Sequence, residues 1–434
     1  MAHAAQQLVS MLDELGRITD EPGRLTRTFL SPAMRRANAL VAGWMKDAGL
    51  KVRVDPVGNL IGRLESANPR ARTLLLGSHL DTVRDAGKFD GPLGVLLPIV
   101  VVGELHRRGV KLPFHVEVLG FSEEEGVRFA SAYLGSEGYT GRLKPATLAL
   151  RDAAGVSVGA ALKKFNGGRF SLPKPAHARG ELLGYVEVHI EQGPVLEAKG
   201  LAVGVVSAIA GQSRFQLTWT GKAGHAGTTP MALRRDALAG AAEFISGVEA
   251  IARRLPGLVA TVGALTVSPG AANVIPGAVV HTLDVRHADD RRRRQALMAI
   301  GRLATQIAGR RKLERRWQRT QENGAVACSA TLTAQLARSV AAVQGQPLSL
   351  VSGAGHDGVV LSTLTPVAML FVRCRAGLSH HPDEYAAPKD LAVALAVMAD
   401  FLERLARDQR LTRLPAAAGP VFVPGSRQGR NRGK

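Results

Sequence analysis

The stretch that decides the reading of this chain is Leu74-Leu-Leu-Gly-Ser-His79-Leu-Asp81-Thr-Val-Arg-Asp-Ala-Gly-Lys-Phe-Asp90-Gly-Pro-Leu-Gly94. The apolar run 74–76 predicts a strand buried in a parallel sheet. It ends in Gly77 and Ser78, and His79 and Asp81, two residues apart, would then share one strand face. A loop carries the chain on to Asp90, followed by Gly91 and Gly94. Open α/β sheets place their chemistry at the carboxyl ends of parallel strands. A His and an Asp there, with a second carboxylate nearby, are metal-ligand residue types. His-x-Asp alone is a commonplace triplet. It gains weight because three further clusters of the same residue types follow, each beside a strand-like run.

The first is Ser122-Glu123-Glu124-Glu125-Gly126-Val-Arg-Phe129, directly after the apolar run 114–121. Three adjacent carboxylates repel one another, and a cation or an uptake of protons relieves the repulsion. The second is Gly184-Tyr-Val-Glu-Val-His189-Ile-Glu191-Gln192-Gly193-Pro194, a strand over 185–190 broken at Gly-Pro. By itself His189 would read as a satisfied core histidine; the company of the other clusters turns it into a candidate ligand. The third is Gly377-Leu-Ser-His380-His381-Pro-Asp-Glu384-Tyr385, after a strand at 368–372.

At 434 residues the chain can bury two cores. Apolar residues make up 46% and aromatics only 4%, as in an α/β protein rich in Ala, Val, Leu and Gly. Two cysteines, Cys328 and Cys374, cannot build a disulfide framework, so a reducing cytoplasm is expected. The first residues lack a basic then apolar leader pattern, and no apolar run reaches the length of a membrane span. The net charge of +20 gathers at 291–294, 310–319 and a Gly/Arg/Lys-rich end. No zinc-finger spacing, basic heptad or aromatic-rich RNA motif accompanies it, so solvated helix faces are expected rather than nucleic-acid binding.

The remaining pattern predicts helices over 4–18, from Pro32 to about 48, over 92–108 and over 157–165, and a hairpin of 51–55 with 60–64. From Ser207 the composition changes. A half-exposed strand (214–220), a Gly-rich loop with His225, a helix to 254, strands at 260–268 and 279–286, a helix at 290–309 and a strand at 314–321 follow. Their order, β-α-β-β-α-β, is ferredoxin-like. The expected division is a discontinuous catalytic domain of 1–211 and 326–412, an inserted lid of 212–325, and a basic tail of 413–434 without fixed structure. Helices at 329–343 and 388–407 close the first domain.

The candidate ligands are therefore His79, Asp90, Glu125, His189 and His380. Five N and O donors without a thiolate suit Zn²⁺ or Mn²⁺. They are too many for one open catalytic ion and suit two ions about 3.5–4 Å apart that share a carboxylate.

The motifs Gly-Ser-His79-Leu-Asp81-Thr, Phe89-Asp90-Gly, Glu124-Glu125-Gly-Val-Arg-Phe, Val-His189-Ile-Glu-Gln192-Gly-Pro, His225-Ala-Gly-Thr-Thr-Pro-Met, Asn273-Val-Ile-Pro and Ser-His380-His-Pro occur in this order. Up to about residue 412 the chain resembles the amidohydrolase (hydantoinase/carbamoylase) branch of the M20 metallopeptidase family. That branch holds allantoate amidohydrolases, N-carbamoyl-L-amino-acid hydrolases and β-ureidopropionases. The resemblance implies a zinc-peptidase-like α/β/α catalytic domain with an inserted ferredoxin-like α+β lid that also forms a homodimer. It implies that Asp90 bridges two ions, His79 and His189 completing one site, Glu125 and His380 the other. Asp81 would orient His79, Glu124 would be the general base, and His225, on the lid and in relatives able to come from the partner subunit, would stabilise the oxyanion. Gln192, Asn273 and Arg286 match substrate-contacting positions, Arg286 taking a carboxylate through its fork of donors.

Within the branch the chain is most similar to the allantoate amidohydrolases, through 27–32, 44–49, 85–90, 121–129 and 184–189. This implies hydrolysis of allantoate to ureidoglycine with release of ammonia and CO₂. The alternative is a small N-carbamoyl-L-amino acid, or a β-ureido acid, on the same centre. A reading of another class is a non-catalytic, anion-binding dimer that uses the basic lid. Two departures stand out: His381 where Asn is usual, and Gly358 where Ala is commoner.

Overall fold

The chain begins with two helices, α1 (Ala2–Gly16) and α2 (Pro32–Asp47). Ser31 starts α2 by accepting the Met34 amide, with Pro32 in the first turn where a missing N–H costs nothing. The computed structural model describes residues 2–408; the expected tail at 413–434 lies outside them. Strands β1 (Lys51–Val54) and β2 (Leu60–Leu64) form the expected hairpin. Asp55 closes it by accepting the amides of Val57 and Asn59.

Next come β3 (Thr73–His79), α3 (Pro92–Arg107), β4 (His115–Phe121), α4 (Leu134–Tyr139), α5 (Val158–Phe165), β5 (Leu182–Ile190), α6 (Val195–Ala198) and β6 (Val203–Ile209). A second group of elements follows: β7 (Gly211–Thr220), β8 (Gly224–His225), α7 (Ala237–Arg254), β9 (Val259–Thr261), β10 (Leu265–Ser268), β11 (Val274–Ile275), β12 (Ala278–His287), α8 (Asp290–Arg311) and β13 (Glu314–Asn323). The chain then returns with β14 (Val326–Ala327), α9 (Ala330–Gln344), β15 (Ser349–Ser352), α10 (Gly358–Leu361), β16 (Val367–Val372) and α11 (Pro388–Arg407).

The first sheet has the order β1-β2-β4-β3-β5-β16-β6-β14, with β15 added to β6. Its middle is parallel: β3 pairs with β4 and β5, and β5 with β16. Every residue of β3, β4, β5 and β16 is buried, as parallel strands covered on both faces must be. Helices α1, α3, α9 and α11 pack a continuous apolar core on one face. The mixed α/β class expected from the sequence is thus present.

The second sheet is antiparallel, in the order β10-β12-β7-β13, with β9 also paired to β12. Trp219, Phe244 and Ile300 lie in its own core beneath α7 and α8. The run expected as one strand at 260–268 is two, because the chain breaks at 262–264 around Gly263. Five strands have no counterpart in the sequence reading: the two-residue β8 and β11 are too short to show a pattern, and β6, β14 and β15 are also absent from it. β6 falls where the composition shift at Ser207 drew attention away from the apolar run before it, and β14 and β15 are short.

Candidate metal centre

The rim of the first sheet gathers the expected donors. β3 ends on His79, β5 carries His189 as its penultimate residue, Glu124 and Glu125 follow β4, and Asp90 precedes α3. His380 arrives from the loop after β16. Donor atoms of His79, Asp90 and His189 lie within 4.8 Å of one another, as do those of Asp90, Glu125 and His380. Asp90 belongs to both trios. Its Oδ1 faces His79 Nε2 at 3.5 Å and His189 Nε2 at 3.2 Å; its Oδ2 faces His380 Nε2 at 3.5 Å. His380 Nε2 is 3.6 Å from Glu125 Oε1. A further trio joins His79 with Glu124 and Glu125.

The imidazoles are aimed from behind. His79 Nδ1 lies 3.0 Å from the Asp81 carbonyl and His189 Nδ1 lies 2.9 Å from that of Ile190. A carbonyl at Nδ1 holds a proton there, which would leave Nε2 free to face an ion bound beside Asp90. Close approach also requires Gly91, at φ 83°, because a Cβ there would stand 2.4 Å from the His79 ring.

Asp81 departs from expectation in one respect. β3 stops at His79, so the two residues do not share a strand face, and Asp81 sits in the following loop. Its carboxylate still faces His79, with Oδ1 3.4 Å from Nδ1, and also accepts the amides of Glu124 (3.0 Å) and Glu125 (3.1 Å), tying the β4 loop to the β3 loop. Behind it, wholly buried Arg27 donates through Nε to the Leu80 carbonyl at 2.6 Å and through Nη1 to Ile18 at 3.0 Å.

Asp90 is cradled in the same manner. Gln192 Nε2 donates to its Oδ2 at 2.6 Å, and the Ser379 hydroxyl lies between that oxygen and Glu384. Buried Glu384 accepts the amides of Phe89 (2.8 Å) and Asp90 (3.0 Å). Arg27, Ser379 and Glu384 were missed in the sequence. The last two flank a candidate ligand in the run 379–384, and that proximity was the available signal.

Electrostatics test whether cations fit. Burial raises Glu123 and Glu124 well above the usual carboxylate range, and Glu125 to about 8, with neighbouring carboxylates adding to the effect. Glu384 is pushed up to about 7 by burial and by Asp90. Burial would also raise Asp90, but His189 and His79 outweigh it and hold it well below its ordinary value. Acids crowded so far from water take up protons unless a cation replaces those protons. The donors are N and O atoms, and neither Cys328 nor Cys374 belongs to the trios. The residues present fit a hard or borderline divalent ion.

A cavity of about 380 Å³ opens over the donors, lined also by Tyr133, Gln192, Gln212, Arg214, Arg286 and Gly355. Arg286 reaches it from β12, but its fork is occupied: Nε and Nη2 donate to Asp284 and Nη1 to the Gly353 carbonyl. His225 and Asn273 come together on the small β8–β11 sheet, where the Ala226 amide donates to the Asn273 carbonyl, and neither lines the cavity. A second, larger chamber of about 890 Å³ shares Gln192, Arg214 and Arg286 with the first. Its walls include Phe215, Val259, Leu283, Leu350 and Phe371.

A family description, Peptidase family M20/M25/M40, matches residues 75–404. The chain is 41% identical over 430 residues to allantoate deiminase 2 of Glycine max, covering 92% of this chain and 89% of the relative. It is 43% identical over 405 residues to an N-carbamoyl-L-amino acid amidohydrolase of Geobacillus stearothermophilus, covering 93% and 99%. The crystal structure of an amidase of the hydantoinase/carbamoylase family from Burkholderia multivorans superposes with a TM-score of 0.87 at 34% identity, covering 93% of this chain and 98% of that one.

Proposed function

Since the chain belongs to peptidase family M20/M25/M40, we propose that it hydrolyses a ureido C–N bond of a small carboxylate, allantoate first among them. The observation that carries this reading is the division of the two Asp90 oxygens between separate donor trios, with Glu124 beside them. His79 and His189 would hold one ion, Glu125 and His380 the other, and Asp90 both; Zn²⁺ and Mn²⁺ each suit these donors. Two such ions, when bound, acidify a water and polarise a carbonyl.

The chain's own residues account for the proton. Glu124 accepts one from the attacking water and returns it to the departing nitrogen. The carbonyl C–N bond breaks, ammonia leaves, and the carbamate loses CO₂ to give ureidoglycine. Asp81 holds the Glu124 and Glu125 backbone in place, and Gln192 steadies Asp90. Arg286 would exchange part of its contact with Asp284 or Gly353 for the substrate carboxylate, a bidentate match.

The reading includes a catalytic domain of 1–211 and 326–412, a lid of 212–325, a homodimer formed through the lid, and a cytoplasmic setting for the free thiols of Cys328 and Cys374. Among the described residues no helix is long and apolar enough to cross a membrane. The apolar chamber beside Arg286 favours a second reading: an N-carbamoyl-L-amino acid, its side chain among Phe215, Leu283 and Leu350. Ammonia release from both substrate types, after reconstitution with Mn²⁺ or Zn²⁺, separates them. Allantoate turnover that disappears in Glu124→Gln supports the first reading. Turnover of carbamoyl-amino acids alone moves the enzyme to the second, and turnover of neither removes both.

A further inference from the structure

Among the residues that face the cavity, Tyr133 has a role in none of the arguments above. Its backbone is left-handed, at φ 68° and ψ 18°. That conformation is unfavourable for a bulky L-residue and persists where the surroundings over-determine it, often at functional sites. Here the surroundings are visible: the Tyr133 amide donates to the Glu124 carbonyl at 3.2 Å, and the Glu137 amide donates to the Tyr133 carbonyl at 2.8 Å. The effect is to turn the ring from the start of α4 into the wall of the donor cavity.

The hydroxyl is placed with equal care. A Cβ built on Gly355 would stand 2.0 Å from the Tyr133 hydroxyl and 3.9 Å from Glu124 Oε1. The phenol and the carboxylate thus flank one point on the Gly355 backbone, with no side chain between them. Among the described residues, none hydrogen-bonds the Tyr133 hydroxyl. Three other donors of the cavity are engaged: Gln192 with Asp90, Arg286 with Asp284 and Gly353, and Arg214 with Asp284 and Gln321. His225, which the resemblance assigns to the oxyanion, lies outside this cavity. A phenol is a neutral donor at physiological pH, and a carbonyl oxygen gaining charge is stabilised by such a donor aimed at it.

We propose that the Tyr133 hydroxyl contacts the substrate directly, donating a hydrogen bond to the reacting ureido carbonyl oxygen from the side of Glu124. The proposal rests on the ureido reading for its substrate, but the donor and its geometry belong to the chain. Tyr133 is then a catalytic residue of this subunit, and the left-handed backbone is what aims it.

The test compares Tyr133→Phe with wild type, both reconstituted and checked for equal metal content and melting temperature. Loss of one preorganised oxyanion donor lowers kcat by about 10²-fold, with KM moving much less. A second measurement uses acetohydroxamate, a small carbonyl probe without a ureido group or a carboxylate, titrated calorimetrically. It should bind Tyr133→Phe about tenfold more weakly. Unchanged kcat and unchanged hydroxamate affinity would overturn the proposal. So would a kcat loss that vanishes once rates are expressed per metal-loaded site, since that is the mark of a structural role. A wild-type enzyme inactive on every ureido compound, with the hydroxamate difference intact, would remove the substrate reading and leave Tyr133 as the donor.

Discussion

The two sheets of this molecule solve different problems with similar parts. In the first, β3, β4, β5 and β16 are buried at every position, and their ends hold side chains that must agree within a few tenths of an ångström. In the second, β7 alternates buried and exposed residues, and β13 offers an edge of mostly exposed side chains. Burial on both faces surrounds every side chain with close-packed neighbours, so a change at any position is felt. A one-sided sheet tolerates substitution on its wet face. The donor residues stand at the rim of the doubly buried sheet, whereas Arg214 and Arg286, which line the same cavity, stand on the other.

The contrast can be broken most forcefully at its rigid end. Leu76→Ala, in the centre of β3, should lower stability by about 2–5 kcal/mol, read as a fall in denaturation midpoint. A cost below about 1 kcal/mol would mean that the parallel core is slack.

Acid probes the same sheet. Glu117 of β4 is buried, which would raise its pKa, but His177, Tyr139 and Arg63 outweigh burial and hold it at about 2, against an ordinary value of 4.5. A depressed folded pKa means stability that is full above about pH 5 and is lost as pH falls through 4.5 toward 2. The shift corresponds to about 3 kcal/mol. Denaturation midpoints of wild type and Glu117→Gln between pH 7 and 3 should converge; parallel curves would count against the ion-pair network.

The cradle of Asp90 should matter somewhat less. Glu384→Ala frees the amides of Phe89 and Asp90 and should weaken metal binding by about 10–100-fold, measured by competition with a chelator. Equal affinity would show that Asp90 is held by Gln192 and Ser379 alone. At the small end, Arg316→Ala on β13 should change stability by less than about 0.5 kcal/mol. A larger, concentration-dependent change in melting would show that a second copy covers this edge.

What could be read beforehand follows from the same contrast. The double-sided strands announce themselves as apolar runs, so the positions of His79, Glu125 and His189 at their ends were legible. The β-α-β-β-α-β order of the second sheet was legible from alternation and helical spacing. Glu384 was not, because its partners Phe89 and Asp90 lie far away in sequence and no local pattern encodes such a pairing. Arg27 was hidden likewise, a buried cation amid residues that read as a helix approach. His225 and Asn273 were assigned through resemblance, and in this chain they are beside each other but not beside the donors.

Asp90 links trios that differ in sequence reach: His79, Asp90 and His189 all come before the second sheet, whereas the trio of Asp90, Glu125 and His380 is completed only by His380, which comes after it. A ribosome adding about 5–20 residues per second needs roughly 10–40 s to pass from β5 to His380. During that interval the nascent chain carries His79, Asp90, Glu125 and His189 but not His380, and β5 still lacks β16 as a neighbour. Completion of the centre therefore waits until the chain has been made past His380.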